Sequence, residues 1–246
     1  MIFDFRVFIG ESFDGRRQTV DELLQSMDVS SIDRALVCPF KPLSYQLGDA
    51  NKSLAVSIKS HSDRLTGAVR IDPWQPFAVD TLRQGLEEFG LRALYLNPWE
   101  EHFHADLQMV DPLVEFASKN NIPVIVETGF PWLCEALQVG RLAKRWSEVS
   151  FVMTNGGQMN ISGLGQADAT LTLRDCPNIC IDTAGVYRQD FIEETIEAFG
   201  AERVLFGSGA PNYDQWFEVK RVLLLKVNTQ VRQFVQAKNA LKLLAV

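Results

Sequence analysis

The sequence predicts a (β/α)8 TIM barrel, an α/β fold, and three observations carry that expectation. Eight short apolar runs recur along the 246 residues, each separated from the next by a helix-length segment. Several runs are almost continuously apolar, as strands of a parallel sheet buried on both faces require. The length also suits eight strand–helix units around one sizeable core. A doubly wound open sheet is the alternative, but no GxGxxG follows an early strand, and Gly156-Gly157 lacks a third glycine. With no linker, repeat or low-complexity tract, residues 1–246 read as one domain.

The expected strands are 2–9, 34–38, 65–71, 92–96, 123–127, 150–153, 178–182 and 203–206. Helical patterns fill 19–27, 50–59, 77–88, 110–120, 131–146, 189–199 and 213–226, and a last helix at 229–244 closes the chain. Thr19 followed by Glu22 fits a capping box, and Pro131 suits a first helical turn. The stretch 156–174 begins Gly-rich and turns helical only later.

Composition narrows the function classes. The chain is 46% hydrophobic and 22% charged, which argues for a packed fold. Its 24 Lys+Arg against 31 Asp+Glu leave a net charge of −7, the wrong sign for a general nucleic-acid surface. No apolar run approaches the 18 residues of a membrane span, so no membrane partner is expected. The opening Met1-Ile2-Phe3-Asp4-Phe5-Arg6 lacks the basic and apolar regions of a signal peptide. Four scattered cysteines, Cys38, Cys134, Cys176 and Cys180, suit reduced thiols and a cytoplasmic location.

In a barrel, chemistry gathers at the C-terminal ends of the strands. Those positions hold Asp4, Arg6 and Phe8, then Cys38-Pro39 with Lys41, then Arg70 and Asp72, then Tyr95 and Asn97. Glu127-Thr128, Thr154-Asn155-Gly156-Gly157, Asp182-Thr183 and Gly207-Ser208-Gly209 follow. The result is a polar, charged mouth on an apolar barrel.

These segments resemble the amidohydrolase-related family, the metal-dependent barrels that include aminocarboxymuconate-semialdehyde decarboxylase. The opening strand from Ile2 to Gly10 stands where the family has a DxHxHxG-like strand. His61-Ser62-Asp63-Arg64-Leu65 and Arg70-Ile71-Asp72-Pro73 are similar to its HPDR and RxDP stretches. Leu94-Tyr95-Leu96-Asn97-Pro98 is similar to its LKLHP strand, and residues 122–129 to its IPVxxHxG strand. Asn155-Gly156-Gly157, the run from Phe206 to Pro211, and Asn239-Ala240 complete the likeness, which covers nearly the whole chain.

The resemblance implies a divalent metal held by two first-strand histidines, a histidine ending strand five and an aspartate ending strand eight. It also implies a catalytic histidine after strand six. Here those five positions hold Arg6, Phe8, Glu127, Asn155 and Gly209. A guanidinium stays protonated and is no ordinary ligand, and Phe8 and Gly209 offer no side-chain donor. A catalytic metal needs about three protein ligands, so neither a metal nor another cofactor is expected at this position.

Arg6 and Glu127 both face the barrel axis in this reading. Either they form an ion pair that fills the place of the metal, with Arg6 also free to choose Asp4 or Asp182, or Arg6 forks onto a ligand carboxylate. In the second case Glu127 is a general acid or base tuned by burial. Asn155, standing where the family has its catalytic histidine, either polarises a carbonyl or caps the turn before Gly156. Asp182 matches a position that in the family lies behind the metal or in the framework. Glu127, Asn155 and Asp182 are thus the candidate catalytic set, and Arg6, Arg70, Asn97 and Trp99 the candidate substrate-binding set. Arg70 either binds substrate or pairs with Asp72 or the Arg6 cluster. Cys38 reads as a buried, unreactive thiol. Trp74, Trp99, Phe103 and Trp132 fall in strand-end loops, as pocket walls or loop packing. Tyr213 and Trp216 cover the rim or a subunit contact, His61 lies in a surface loop, and residues 97–106 form a candidate lid.

Three functions from different classes follow. A metal-independent hydrolase or lyase acting on a small anionic, carboxylate-bearing ligand requires Glu127 to be free of arginine. A non-catalytic pseudoenzyme binding a ligand or partner requires Glu127 to be engaged by Arg6, with a narrow or plugged mouth. A metal hydrolase or decarboxylase with a relocated site requires His102, His104 and a carboxylate such as Glu127 or Asp106 to converge. By analogy with the family, a homodimer is the assembly to test for.

Overall fold

The computed structural model describes residues 1–158 and 163–246. Among these residues, eight parallel staves close into a barrel. They are β1 (Phe3–Glu11), β3 (Arg34–Pro39), β4 (Leu65–Gly67) continued by β5 (Val69–Arg70), β6 (Leu94–Leu96), β7 (Val124–Val126), β8 (Phe151–Met153), β9 (Ile179–Asp182) and β10 (Val204–Leu205). A short antiparallel strand, β2 (Arg17–Gln18), folds back on the upper end of β1. The sequence reading missed it, although Asp14-Gly15 is a turn signal.

The expected third strand, 65–71, is one stave interrupted at Ala68, whose N–H crosses to Val37 O at 2.9 Å. That bond joins the two hydrogen-bonded sheets on one side. On the other, Phe5 N–H donates to Phe206 O and Gly209 N–H to Arg6 O, each at 2.8 Å, closing the ring.

Helices α1 (Val20–Ser30), α2 (Leu47–Ile58), α3 (Ala78–Glu87), α4 (Pro98–Glu101), α5 (Asp111–Lys119), α6 (Ala136–Arg145), α7 (Gly163–Asp175), α8 (Gln189–Phe199) and α9 (Gln215–Leu223) alternate with the staves. The Thr19 capping box is present, with Glu22 N–H donating to Thr19 Oγ1 at 3.2 Å and Thr19 N–H to Glu22 at 2.8 Å. Pro131 does not open α6. The helix starts at Ala136 with Glu135 as its cap, because Trp132 takes a left-handed φ of 69° that ends any helical run through it. The short α4 was also missed; Asn97 caps it, accepting from Glu100 N–H at 3.1 Å. The closing helix forms as α10 (Thr229–Gln233), a π turn (Phe234–Lys238) and α11 (Asn239–Leu244).

Period-2 alternation divides the apolar residues into two cores. Val69, Leu94, Val124, Phe151 and Ile179 pack outward with helix residues such as Leu82, Leu113 and Val139. Phe3, Phe5, Leu36, Ala93, Tyr95, Ile125, Val152 and Leu205 fill the barrel, joined by Ala240 and Leu244 of α11. Asn239 ties these last turns to the barrel, its amide donating to Ala201 O at 2.8 Å and Val204 O at 2.7 Å.

Gly85 lets α3 approach the barrel wall. A Cβ there would lie 2.5 Å from Val69 Cγ2 and 2.8 Å from Cγ1. Gly85→Ala gains about 1 kcal/mol of helix propensity. It also overpacks a fully buried, β-branched neighbour, at a cost of about 1–3 kcal/mol. We expect a net loss of about 1 kcal/mol, read as a lower urea midpoint with unchanged slope. A stabilised variant would show slack in this contact.

Candidate ligand-binding site at the barrel mouth

A bulge in β1 sets the floor of the site. The register with β3 passes from Asp4↔Ala35 to Val7↔Val37, so Phe5 and Arg6 together oppose Leu36. The extra residue reverses the alternation. Phe3 and Phe5 fill the barrel below it and Phe8 above it, while Arg6 lines the cavity beside Phe8.

Arg6 is 2% exposed, and each of its guanidinium nitrogens is used. Nε donates to Asp182 at 2.7 Å, Nη1 to Glu127 at 3.1 and 3.4 Å, and Nη2 to Asn155 Oδ1 at 2.8 Å. Asn155 returns a bond from Nδ2 to Glu127 at 2.9 Å and another to Thr128 O at 3.1 Å. Its backbone N–H donates to Asp182 at 2.7 Å. This residue sits at φ 55°, a left-handed conformation that asparagine tolerates better than most. Tyr95 adds its hydroxyl to Glu127 at 2.9 Å, and Asn97 Nδ2 reaches that hydroxyl at 3.3 Å.

Burial works against the Arg6 charge, but Asp182 and Glu127 outweigh it and hold the guanidinium protonated more firmly than usual. Burial likewise lifts the Asp182 carboxyl above its ordinary range, against the pull of Arg6. Burial and the neighbouring Glu127 charge push the Tyr95 phenol well up. Two carboxylates therefore share one guanidinium. Asp4 does not pair with that guanidinium; it accepts from Ser208 N–H at 2.7 Å, Ser208 Oγ at 2.5 Å and Gln215 Nε2 at 2.8 Å.

A second cluster forms the opposite wall. Arg70, 1% exposed, pairs with Glu100 and with Glu101, the latter at 2.8 Å, rather than with Asp72 or the Arg6 group. Asn51 fixes its backbone through paired bonds at 2.8 and 2.9 Å. Burial raises the Glu101 carboxyl to about 7 despite Arg70 and Lys41. Arg16, from the turn before β2, reaches over the mouth. It forks onto Asp14, donates to Glu100 at 3.0 Å and Asn212 at 2.9 Å, and stacks on Phe40 at 5.4 Å.

Between these clusters lies a cavity of about 550 Å³. All four candidate substrate-binding residues, Arg6, Arg70, Asn97 and Trp99, line it, as do Glu127 and Asn155 of the catalytic set. Asp182 lies behind Arg6, fully buried. Trp99 stacks on Phe130 with ring centres 4.6 Å apart, and Phe8 on Phe40 at 5.2 Å. Sequence reasoning missed Arg16, Glu100 and Gln158. Arg16 and Gln158 follow the ends of barrel strands, and a polar side chain in a strand-end loop is the signal they carry. Gln158 is 4% exposed, lines the cavity, and its Nε2 has no hydrogen-bond partner among the described residues.

The remaining candidates lie apart. His102 and His104 are exposed, and His104 meets Gln138 at 3.1 Å. Among the described residues no three His, Cys, Asp or Glu side chains are grouped to hold a metal ion. Cys38 is fully buried and its thiol is pushed up to about 12 by that burial. Trp74 and Trp132 are exposed, whereas Phe103 is buried; the 97–106 segment is anchored by Asn97, Glu101 and Phe103. Tyr213 lines the rim, and Trp216 is half exposed.

The amidohydrolase family model matches residues 11–246. The chain belongs to the amidohydrolase family. No curated protein matches it. Among solved structures, 2,6-dihydroxybenzoate decarboxylase from Rhizobium is 16% identical, with TM-score 0.80 over 99% of this chain and 98% of that one. The 5-carboxyvanillate decarboxylase LigW from Sphingomonas paucimobilis is 14% identical, with TM-score 0.79 over 100% and 99%. A dihydroxybenzoic acid decarboxylase from a Polaromonas species, solved with manganese and 2-nitroresorcinol, is 15% identical, with TM-score 0.79 over 99% and 96%. At these identities the likeness establishes the amidohydrolase TIM-barrel fold. Among the described residues no helix of this family member is long and apolar enough to cross a membrane.

Proposed function

We propose that this amidohydrolase-fold protein is a metal-independent binding barrel for a small aromatic carboxylate, acting as one domain over residues 1–246. The observation that carries the reading is Arg6. Its guanidinium bonds Glu127, Asp182 and Asn155 at 2.7–3.1 Å on the barrel axis, beneath an open cavity. A divalent ion does not fit this donor set, because the two carboxylates already neutralise a fixed cation. Gly209, where the resemblance calls for an aspartate, takes φ 69°, and an added Cβ would meet Tyr213 Cδ2 at 3.1 Å. Both observations support a floor in which Arg6 does the structural work of the metal.

Glu127 accepts from Arg6, Tyr95 and Asn155 together, which supports a structural acceptor over a proton shuttle. Asn155 and Asp182 are read with it, as the cradle of Arg6. Among the described residues nothing plugs the mouth, however, and its stacked aromatic walls suit a flat ring. The neighbours named for aromatic acids add support for that ligand class. Four free cysteines suit a reducing compartment, and we place the protein in the cytoplasm.

The test pairs elemental mass spectrometry of protein grown with manganese and zinc with calorimetry and product analysis on 2,6-dihydroxybenzoate. Binding with negligible bound metal and no resorcinol formed is the expected result. One equivalent of metal with metal-dependent release of resorcinol would overturn the reading and restore the decarboxylase chemistry of the neighbours.

A further inference from the structure

We infer that Arg16 is the group that meets the ligand's carboxylate, and that Glu100 holds its place until the ligand arrives. The inference rests on the binding reading above and names the residues that enact it.

Three arginines line the cavity among the described residues, and two are poor hosts for an incoming anion. Arg6 is 2% exposed, bonded at every nitrogen, and faces two carboxylates, so its surroundings already carry excess negative charge. Arg70 is 1% exposed and likewise flanked by two, Glu100 and Glu101. A third carboxylate beside either cation would be repelled by the pair already there. Arg16 also faces two carboxylates, Asp14 on its Nε side and Glu100 on Nη2, but it differs in exposure and in what it can release. Its side chain is 36% exposed, so solvent screens the charges around it, and its Nη1 is held only by the neutral Asn212.

The geometry of Glu100 makes an exchange inexpensive. Its Oε1 accepts from Arg16 at 3.0 Å, while its Oε2 accepts from Arg70. When a ligand carboxylate takes the Arg16 fork, Glu100 keeps Arg70, and no buried charge is stranded. Arg16 trades one carboxylate for another of equal charge and fork geometry. Gln158 supplies an independent sign that a ligand belongs here: a side-chain amide N–H, buried and without a partner among the described residues, on the cavity wall. Such a donor is left unpaired at a cost unless an acceptor arrives.

The exchange makes a prediction of unusual sign: removing a cavity carboxylate tightens an acid. With 2,6-dihydroxybenzoate titrated into the full chain by calorimetry, Glu100→Gln should bind roughly three- to tenfold more tightly than the unmodified protein. Arg16→Gln should bind weaker by a similar factor. Asn212→Asp, at an exposed position, adds a competing carboxylate beside Arg16 and should also weaken binding. Resorcinol, the same ring without the carboxylate, should show none of these differences.

Absence of binding to the unmodified protein would overturn the underlying reading and this inference with it. Binding that Arg16→Gln and Asn212→Asp leave unchanged would overturn the Arg16 assignment alone. A Glu100→Gln variant that binds the acid no tighter, while the Arg16 variant weakens it, would remove Glu100 as placeholder. Equal changes for resorcinol and the acid would show a packing effect and would likewise overturn the exchange.

Discussion

Arg6→Met should destabilise the protein by about 3–5 kcal/mol, the usual consequence of removing one partner from a buried ion cluster. The loss follows from what stays behind. Glu127 and Asp182 are 8% and 0% exposed, and without the guanidinium they confront each other across the barrel axis with no cation between them. Asn155 also loses the donor at 2.8 Å that holds its left-handed turn. For a chain of this size the melting temperature should fall by on the order of 10 °C. The triple change Arg6→Met, Glu127→Gln, Asp182→Asn should recover much of that loss, because it removes the stranded charges together with their partner. Thermal and urea unfolding of the two variants at neutral pH give the answer. A single variant within about 1 kcal/mol of the parent would mean that the cluster is not what holds the floor together.

Asp4 carries the second large effect, and its signature is a pH dependence. Burial raises its carboxyl from 3.8 to about 6, against the donors from Ser208 and Gln215. The native state therefore holds a proton that the unfolded chain has released, over the window from 3.8 to about 6. Stability linked to Asp4 is complete below that window and is lost as pH rises through it. Glu101, lifted from 4.5 to about 7, adds a slope of the same sign at slightly higher pH. Asp4→Asn should flatten the lower part of this profile. Gln215 can turn its unpartnered Oε1 toward the new amide, so the fold should survive the change. Asp4→Ala, in contrast, strands the Ser208 N–H and the Gln215 amide, at about 1–3 kcal/mol for each unsatisfied group. Urea unfolding of the parent and both variants between pH 4 and 8 compares the slopes. An Asp4→Asn profile parallel to the parent's would remove Asp4 as the source.

Much of the fold was legible because its signals are local. Apolar strands at regular spacing and the Thr19–Glu22 box depend on residues close in sequence, and all reappear in the structure. Where a local signal misled, a neighbouring backbone conformation overrode it: Trp132 turns left-handed, so Pro131 cannot start α6. The short β2 and α4 each depend on a few residues and leave little periodic pattern to read. The same limit governed the site. Arg6 and Glu127 stood out together as a candidate pair, but the choice among Asp4, Asp182 and Glu127 as the partner of Arg6 was open in one dimension.

From residue pattern alone came the alternating architecture, the position of the mouth and the identity of the arginine on the axis. Only the tertiary structure decided that Arg6 takes both Glu127 and Asp182, that Arg70 turns to Glu100 and Glu101, and that Arg16 spans the rim. The reason is physical. Strand and helix formation is governed by neighbours along the chain, whereas an ion pair is chosen among charges that closure of the barrel brings together. In this chain, a single bulged residue in β1 brings Arg6 to the cavity beside Phe8.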